Sequence, residues 1–186
     1  MQAIFEYASQ MAELLDKDQV SYTNYDGSQA VASSVRTCVR VFEARGEMDR
    51  NQVLIPSTMN PEILSMMKEF CRLACELVPV KACDKTGRMD MEDLKAKLAS
   101  GKVACVFFEN PSYLGFFEEH AKEICDFAHK AGALTVVQPD LASLGVIETP
   151  ANYGADIVCG DLQPLGIHMQ YGGGCGGFIA VDNDPE

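Results

Sequence analysis

Apolar positions along this chain follow two rhythms that take turns. Over about Ala3–Leu15 they recur at helical spacing, and again from Ser28 to Ala44 at Ala32, Val35, Val39 and Phe42. RGEMD breaks that pattern, and QVLIPS then reads as a short β run. PEILSMMKEFCRLA predicts a helix with Pro61 in its first turn and Asn60 as its N-cap. The unit repeats. ELVPVKA predicts a strand, DMEDLKAKLAS a helix opened by Asp90, and VACVFFE a strong apolar strand. EEHAKEICDFAHKAG predicts a helix ended by Gly132, and ALTVVQ, ADIVCG and GGFIAV are the last strands. Between the first two helices, SYTNYDGSQA reads as turn.

Several of these strands are unbroken apolar runs, the mark of burial on both faces. Strands alternating with helices then predict an α/β fold, a three-layer α/β/α sandwich around a mainly parallel sheet. Its crossovers should be right-handed. The 186 residues suit one domain, and no repeat, linker or low-complexity stretch divides 1–186. The chain opens in a helix and ends at VDNDPE directly after a strand, so it reads as a domain cut from a longer polypeptide.

Composition narrows the function more than the fold. An apolar content of 47% and a mean hydropathy near zero describe a globular protein. The net charge of −12, with Lys and Arg scattered, excludes nucleic acid as a partner, because phosphate contacts need clustered cations. No apolar run reaches the roughly 20 residues of a membrane span. The start, MQAIFEYASQMAELL, lacks a basic n-region, so a cytoplasmic location is expected. Of the eight cysteines, Cys38, Cys71, Cys75 and Cys125 fall on apolar helix faces, and Cys105 and Cys159 in strand-like runs. No CxxC or zinc-like Cys/His spacing occurs, so no metal is expected. Cys71 and Cys75 share a helix face at i, i+4 but lack a second pair. Small buried hydrophobes in a reducing compartment is the expected role.

In open α/β sheets, ligands bind at the carboxyl ends of the strands. Three segments belong there. Tyr25-Asp26-Gly27-Ser28 opens a helix whose free N–H groups and dipole attract anions, although Asp26 and Ser28 serve equally as N-caps. Glu109-Asn110-Pro111-Ser112 follows the strongest strand and reads as a site or as a turn closed by Asn-Pro. Last come VVQPDLASLG and the stretch GDLQPLGIHMQYGGGCGGF, which holds seven glycines and His168 but no lysine. No GxGxxG follows the first strand, and neither a P-loop nor a GxSxG elbow occurs. His120 and His129 fall in one helix and are expected at its surface.

The order YDGSQAVASSV, VLIPSTMNPEIL, ENPSYLGFFEE, HKAGALTVVQPDLASLG and YGADIVCGDLQPLGIHMQYGGGCGGFIA resembles the glycine cleavage system P-protein family. Within that family it is most similar to the α subunit of the two-subunit bacterial form, over nearly the whole chain. The resemblance implies a fold type I pyridoxal-phosphate (PLP) transferase-like large domain, with an N-terminal region and a C-terminal small domain absent. In that class a lysine after a late strand forms the Schiff base, since only an imine exchanges with a substrate amine. The equivalent stretch here is Leu162-Gln163-Pro164-Leu165-Gly166, and the last lysine of the chain is Lys130. No catalytic residue is therefore expected in this chain. The usual acidic partner of the pyridinium nitrogen would be Asp140.

The resemblance implies a subunit of a heterotetramer that decarboxylates glycine on PLP and passes the aminomethyl group to the lipoyl carrier H-protein. The cofactor would sit on a β subunit. This chain would complete the shared site through Asp26, Gly27, Ser28, Asp140, Gln163, Gly172, Gly173 and Gly174, and as a fragment it would expose apolar surface and self-associate. An active aminotransferase- or cysteine desulfurase-like PLP enzyme, with Lys130 or another lysine brought into place, is the alternative.

Overall fold

The innermost strand shows how this sequence makes two cores. Strand β4, Val103–Asn110, is buried at all eight positions in the computed structural model, which describes residues 1–183. Alternation sends Val106 and Phe108 into one core and Cys105 and Phe107 into the other. The first core is closed by α1 (Gln2–Leu15), α4 (Met91–Leu98) and α5 (Ala121–Lys130), through Met11, Leu15, Leu94, Leu98, Ile124 and Ala128. The second is closed by α2 (Gly27–Ala44) and α3 (Pro61–Cys71), through Val31, Val35, Phe42, Ile63 and Met67. The three-layer α/β/α sandwich is thus formed as the patterning requires.

The other strands are β1 (Gln19–Asn24), β2 (Gln52–Pro56), β3 (Glu76–Val80), β5 (Leu134–Pro139), β6 (Ile157–Asp161) and β7 (Gly177–Val181). They form one seven-stranded sheet in the order β1-β7-β6-β5-β4-β2-β3. Only β7 runs against its neighbours, pairing antiparallel with β1 and β6. The β4–β5 register runs from Cys105 opposite Leu134 to Asn110 opposite Pro139, so the ends of these strands lie level. Helix α3 after β2 and helix α5 after β4 depart to opposite faces, which opens a crevice at the carboxyl ends of these adjacent strands.

Helix starts follow their caps. Asp26 accepts from the Gln29 amide at 2.7 Å, Asn60 from Glu62 at 2.9 Å, and Asp90 from Glu92 at 2.9 Å. Gly132, at φ 70°, ends α5 as expected. Two readings need correction. SYTNYDGSQA is not all turn, because its first four residues complete β1. That strand is an edge strand paired only with β7 and mostly exposed, so it carries no apolar alternation to read. Helix α5 begins at Ala121 rather than at Glu118, whose buried carboxylate accepts from the amides of Met89 (3.4 Å) and His120 (3.3 Å). Of the VDNDPE end, residues 184–186 lie outside the described residues.

Candidate functional site at the carboxyl edge of the sheet

Strands β4, β5 and β6 each end in or next to a carboxylate: Glu109, Asp140 and Asp161. Together with Pro111, Gln138 and Pro164 these line a cavity of about 180 Å³. Glu109 is 9% exposed. Burial pushes its carboxyl up to about 7, against the pull of the Asn60 amide that it accepts at 3.1 Å. The Gln138 side-chain oxygen is buried with no partner among the described residues. Among the described residues no Lys, Arg or His lines the cavity.

The start of α2 meets the end of β6 beside it. The Gly27 amide donates to Asp161 Oδ2 at 3.2 Å, and the Gln163 amide donates to Asp161 Oδ1 at 2.7 Å. Asp26 holds the Gln29 amide as N-cap, and Ser28 lies half-buried in the first turn without serving as the cap. The anion-attracting end of α2 is therefore filled by two carboxylates of the chain itself. Glycine is required on both sides of this contact. A Cβ on Gly27 would lie 2.8 Å from the Asp161 amide nitrogen, and one on Gly177 would lie 2.2 Å from the Asp26 carbonyl oxygen. In Asp161→Ala the vacated amides should bind an external anion. Added inorganic phosphate should then raise the thermal midpoint of the variant and leave that of the wild type unchanged. Equal shifts in both proteins would contradict the self-capping arrangement.

Between β6 and β7 the glycine-rich loop closes on itself. The Leu162 amide donates to the Gly176 carbonyl at 2.8 Å. Gly172 and Gly173 have φ of 98° and 90°, in the left-handed region that disfavours side chains. Exposed Gln163 lies against Gly173, where a Cβ would be 3.2 Å from its side-chain nitrogen, and a Cβ on Gly174 would be 2.7 Å from Ile167. The structure thus brings Gly27 and Gln163 together through Asp161, and Gln163 together with Gly173. Asp140 lines the same cavity as Asp161, but it spends one oxygen capping the Leu141–Gly145 turn through the Ala142 amide at 3.0 Å.

Other candidates lie elsewhere. His129 pairs with Asp156 at 2.9 Å, and Lys130 follows it at the end of α5, a few residues before β5 begins. Both are at the amino edge of the sheet, away from the site. The sequence reading misses Asp161; it includes Glu109 only within the candidate segment Glu109–Ser112, read equally as a site or a turn, although a carboxylate near the end of an eight-residue apolar strand is itself a signal. It also misses a cavity of about 890 Å³ that includes Ser57, Lys81, Cys83, Lys85 and Lys97 in its lining at the β2–β3 edge.

The mainly parallel sheet with its reversed β7, the helix start against the β6 end and the glycine-rich return loop define a class, the large domain of fold type I PLP enzymes. A cystathionine γ-lyase, CalE6 of Micromonospora echinospora, shares this fold at a TM-score of 0.69 and 18% identity, over 92% of this chain and 40% of that one. The family model of the glycine cleavage system P-protein matches residues 1–185, and the chain belongs to that family. A solved glycine decarboxylase (P-protein) of the glycine cleavage system, in inhibitor-bound form, superposes at a TM-score of 0.85 with 32% identity, over 98% of this chain and 39% of that one. Probable glycine dehydrogenase (decarboxylating) subunit 1 of Pyrococcus furiosus is 38% identical over 187 residues, which is all of this chain and 40% of the relative. The corresponding protein of Staphylothermus marinus is 37% identical, over 99% of this chain and 38% of the relative. The chain thus spans about 40% of the length of these curated relatives.

Proposed function

We propose that this chain is the large-domain part of a P-protein α subunit that holds no PLP of its own. It completes the interface site of a β subunit that carries the cofactor. One observation carries the reading: the carboxyl edge offers acceptors where a PLP site needs an amine and an anion cradle. No lysine follows Lys130 in the sequence, the cavity is lined by Glu109, Asp140 and Asp161, and Asp161 fills the start of α2. These residues do not fit a PLP bound by this chain, whose phosphate would meet carboxylates in place of free amides.

In the assembly, the cofactor of the partner subunit would supply the electron sink for glycine decarboxylation, and the aminomethyl group would pass to the lipoyl arm of the H-protein. The contribution of this chain is positional. Gly172–Gly174 and Gln163 would present a compact loop of backbone dipoles to the neighbour, and the start of α2 packs on the strand ends that flank it, at Asp161 and Gly177. Apolar surface supports an interface role. Phe5 (72% exposed), Leu165, Met169 and Tyr171 stand at the surface, and a groove of about 370 Å³ between Tyr7, Met11, Leu14, Leu162, Leu165 and Ile167 leads toward the loop. Among the described residues no helix is long and apolar enough to cross a membrane, and a cytoplasmic location agrees with that.

Two measurements test the reading. PLP added to the purified chain, followed by borohydride, should leave no stoichiometric pyridoxyl-lysine by mass spectrometry; a single fully labelled lysine would overturn the assignment. Mixed with a β subunit, the chain should co-purify with it and raise its glycine–bicarbonate exchange. A β subunit unaffected in both respects would argue against an interface role.

A further inference from the structure

The sequence pairs Cys71 with Cys75, and the fold adds a second pair that no spacing reveals. Cys38 on α2 and Cys105 on β4 share an S–H···S contact in the same region of the core. Among the described residues no group of three or more Cys, His, Asp or Glu is arranged to hold a metal ion. Chemistry between thiols is what remains, and the two pairs differ in what can reach them. Cys38 and Cys105 are 0% exposed, and Cys71 is 1% exposed but meets Cys75, which is only half-buried.

The backbone sets the geometry of the outer pair. Cys71 is the last residue of α3, and the Cys75 amide donates to its carbonyl at 3.0 Å. An i to i+4 bond of that kind places the two Cα atoms about 6 Å apart. Disulfides form over separations of roughly 4.4–6.8 Å. The side chains already meet, with the Cys75 S–H donating to the Cys71 sulfur. Arg36 reaches over from α2, with one guanidinium nitrogen 3.5 Å from the Phe70 carbonyl, and its buried Nε has no hydrogen-bond partner among the described residues. A cation with a spare donor beside a thiol pair is the setting that stabilises a thiolate.

We propose that Cys71 and Cys75 form a redox-active dithiol which a hydroperoxide converts to an intrachain disulfide. The Cys71 thiolate attacks a peroxide oxygen and the O–O bond breaks, leaving a sulfenic acid and hydroxide, which takes up the proton that Cys71 released. The Cys75 sulfur then displaces hydroxide from the Cys71 sulfur, losing its own proton to it as the S–S bond forms. Two thiols and one hydrogen peroxide give one disulfide and two waters. The S–H donated by Cys75, followed by the Arg36 charge, draws the Cys71 thiol below its ordinary value against the effect of burial, and the same contact first, then burial, pushes Cys75 up. This orders the roles: Cys71 attacks and Cys75 resolves. The pair sits where α3 hands over to β3, at the amino edge of the sheet, so it is remote from the carboxyl-edge site and independent of the function proposed there.

The sequence between Lys68 and Lys81 makes the test clean, because trypsin cuts after Arg72 and separates EFCR from LACELVPVK. The folded chain, treated with equimolar hydrogen peroxide and then alkylated and digested, should yield these peptides joined, lacking two hydrogens, and parted by dithiothreitol. Cys75→Ser should leave Cys71 as a sulfenic acid trapped by dimedone, and Cys38→Ser should leave the linked peptides intact. Recovery of Cys71 and Cys75 fully alkylated while the more open Cys83 and Cys175 are oxidised would overturn the proposal. So would linkage that appears only in urea.

Discussion

Replacing Gly177 with alanine is expected to destabilise this chain by at least about 3 kcal/mol, lowering its thermal midpoint by roughly 6–12 °C. The reason is position rather than conformational freedom, since Gly177 is not among the residues with positive φ. As the first residue of β7 it is paired with Asp161 of β6 on one side and with Asn24 of β1 on the other. An alanine Cβ would sit 2.2 Å from the Asp26 carbonyl oxygen, 2.6 Å from its carbon and 3.1 Å from the Ala30 side chain. Non-bonded carbon atoms settle at about 3.5–4.0 Å. The nearest two atoms are backbone, so relief requires α2 to lift from the sheet, and that separates the Gly27 amide from Asp161. Gly145→Ala is the control, because a Cβ there meets nothing within 4 Å and φ is not positive. A Gly177→Ala protein melting within a degree or two of Gly145→Ala would refute the close-contact account.

The same contact shows where sequence reading stops. The strands β4 and β5 and the helices α2, α3 and α4 are local facts. Apolar periodicity, Asn60 with Pro61, and Asp90 announce them within a few residues, and the structure places them as expected. β1 escaped because an exposed edge strand has little to bury, so Gln19–Asn24 follows no apolar rhythm. Asp161 escaped for a different reason. Its carboxylate matters through Gly27, 134 residues earlier, and no local pattern encodes a pairing at that distance. The second thiol pair is alike, since Cys38 and Cys105 look like ordinary buried residues until the sheet brings β4 beneath α2. The missing lysine was legible because an absence at a motif position needs no partner to be seen. The candidate site was thus readable as a location at the carboxyl edge. Its acidic lining had to be assembled from three strand ends.

That lining has a measurable consequence in the pH dependence of stability, and Glu109→Gln isolates it. Burial raises the Glu109 carboxyl from an ordinary value of 4.5 to about 7. The folded state therefore holds a proton that the unfolded chain releases once the pH exceeds 4.5. Native stability from this group is full below that value and is lost as pH rises through about 7. The difference of some 2.5 pH units corresponds to a loss on the order of 3 kcal/mol across the window. Among the described residues no cation lines the cavity to offset it, and the other acidic side chains in the lining are Asp140 and Asp161. Glutamine keeps an oxygen that can accept from the Asn60 amide and cannot ionise. Urea titrations should show the two proteins equally stable near pH 4.5 and Glu109→Gln more stable by about 1–3 kcal/mol at pH 8. Parallel stability profiles across that range would mean that the Glu109 carboxylate is solvated or paired in the folded state, and the buried acid at the head of the crevice would lose its basis. A β subunit that placed a cation against Glu109 would bring the carboxyl back toward its ordinary value. Repeating the comparison with the proposed β subunit bound therefore also asks whether that partner reaches this cavity.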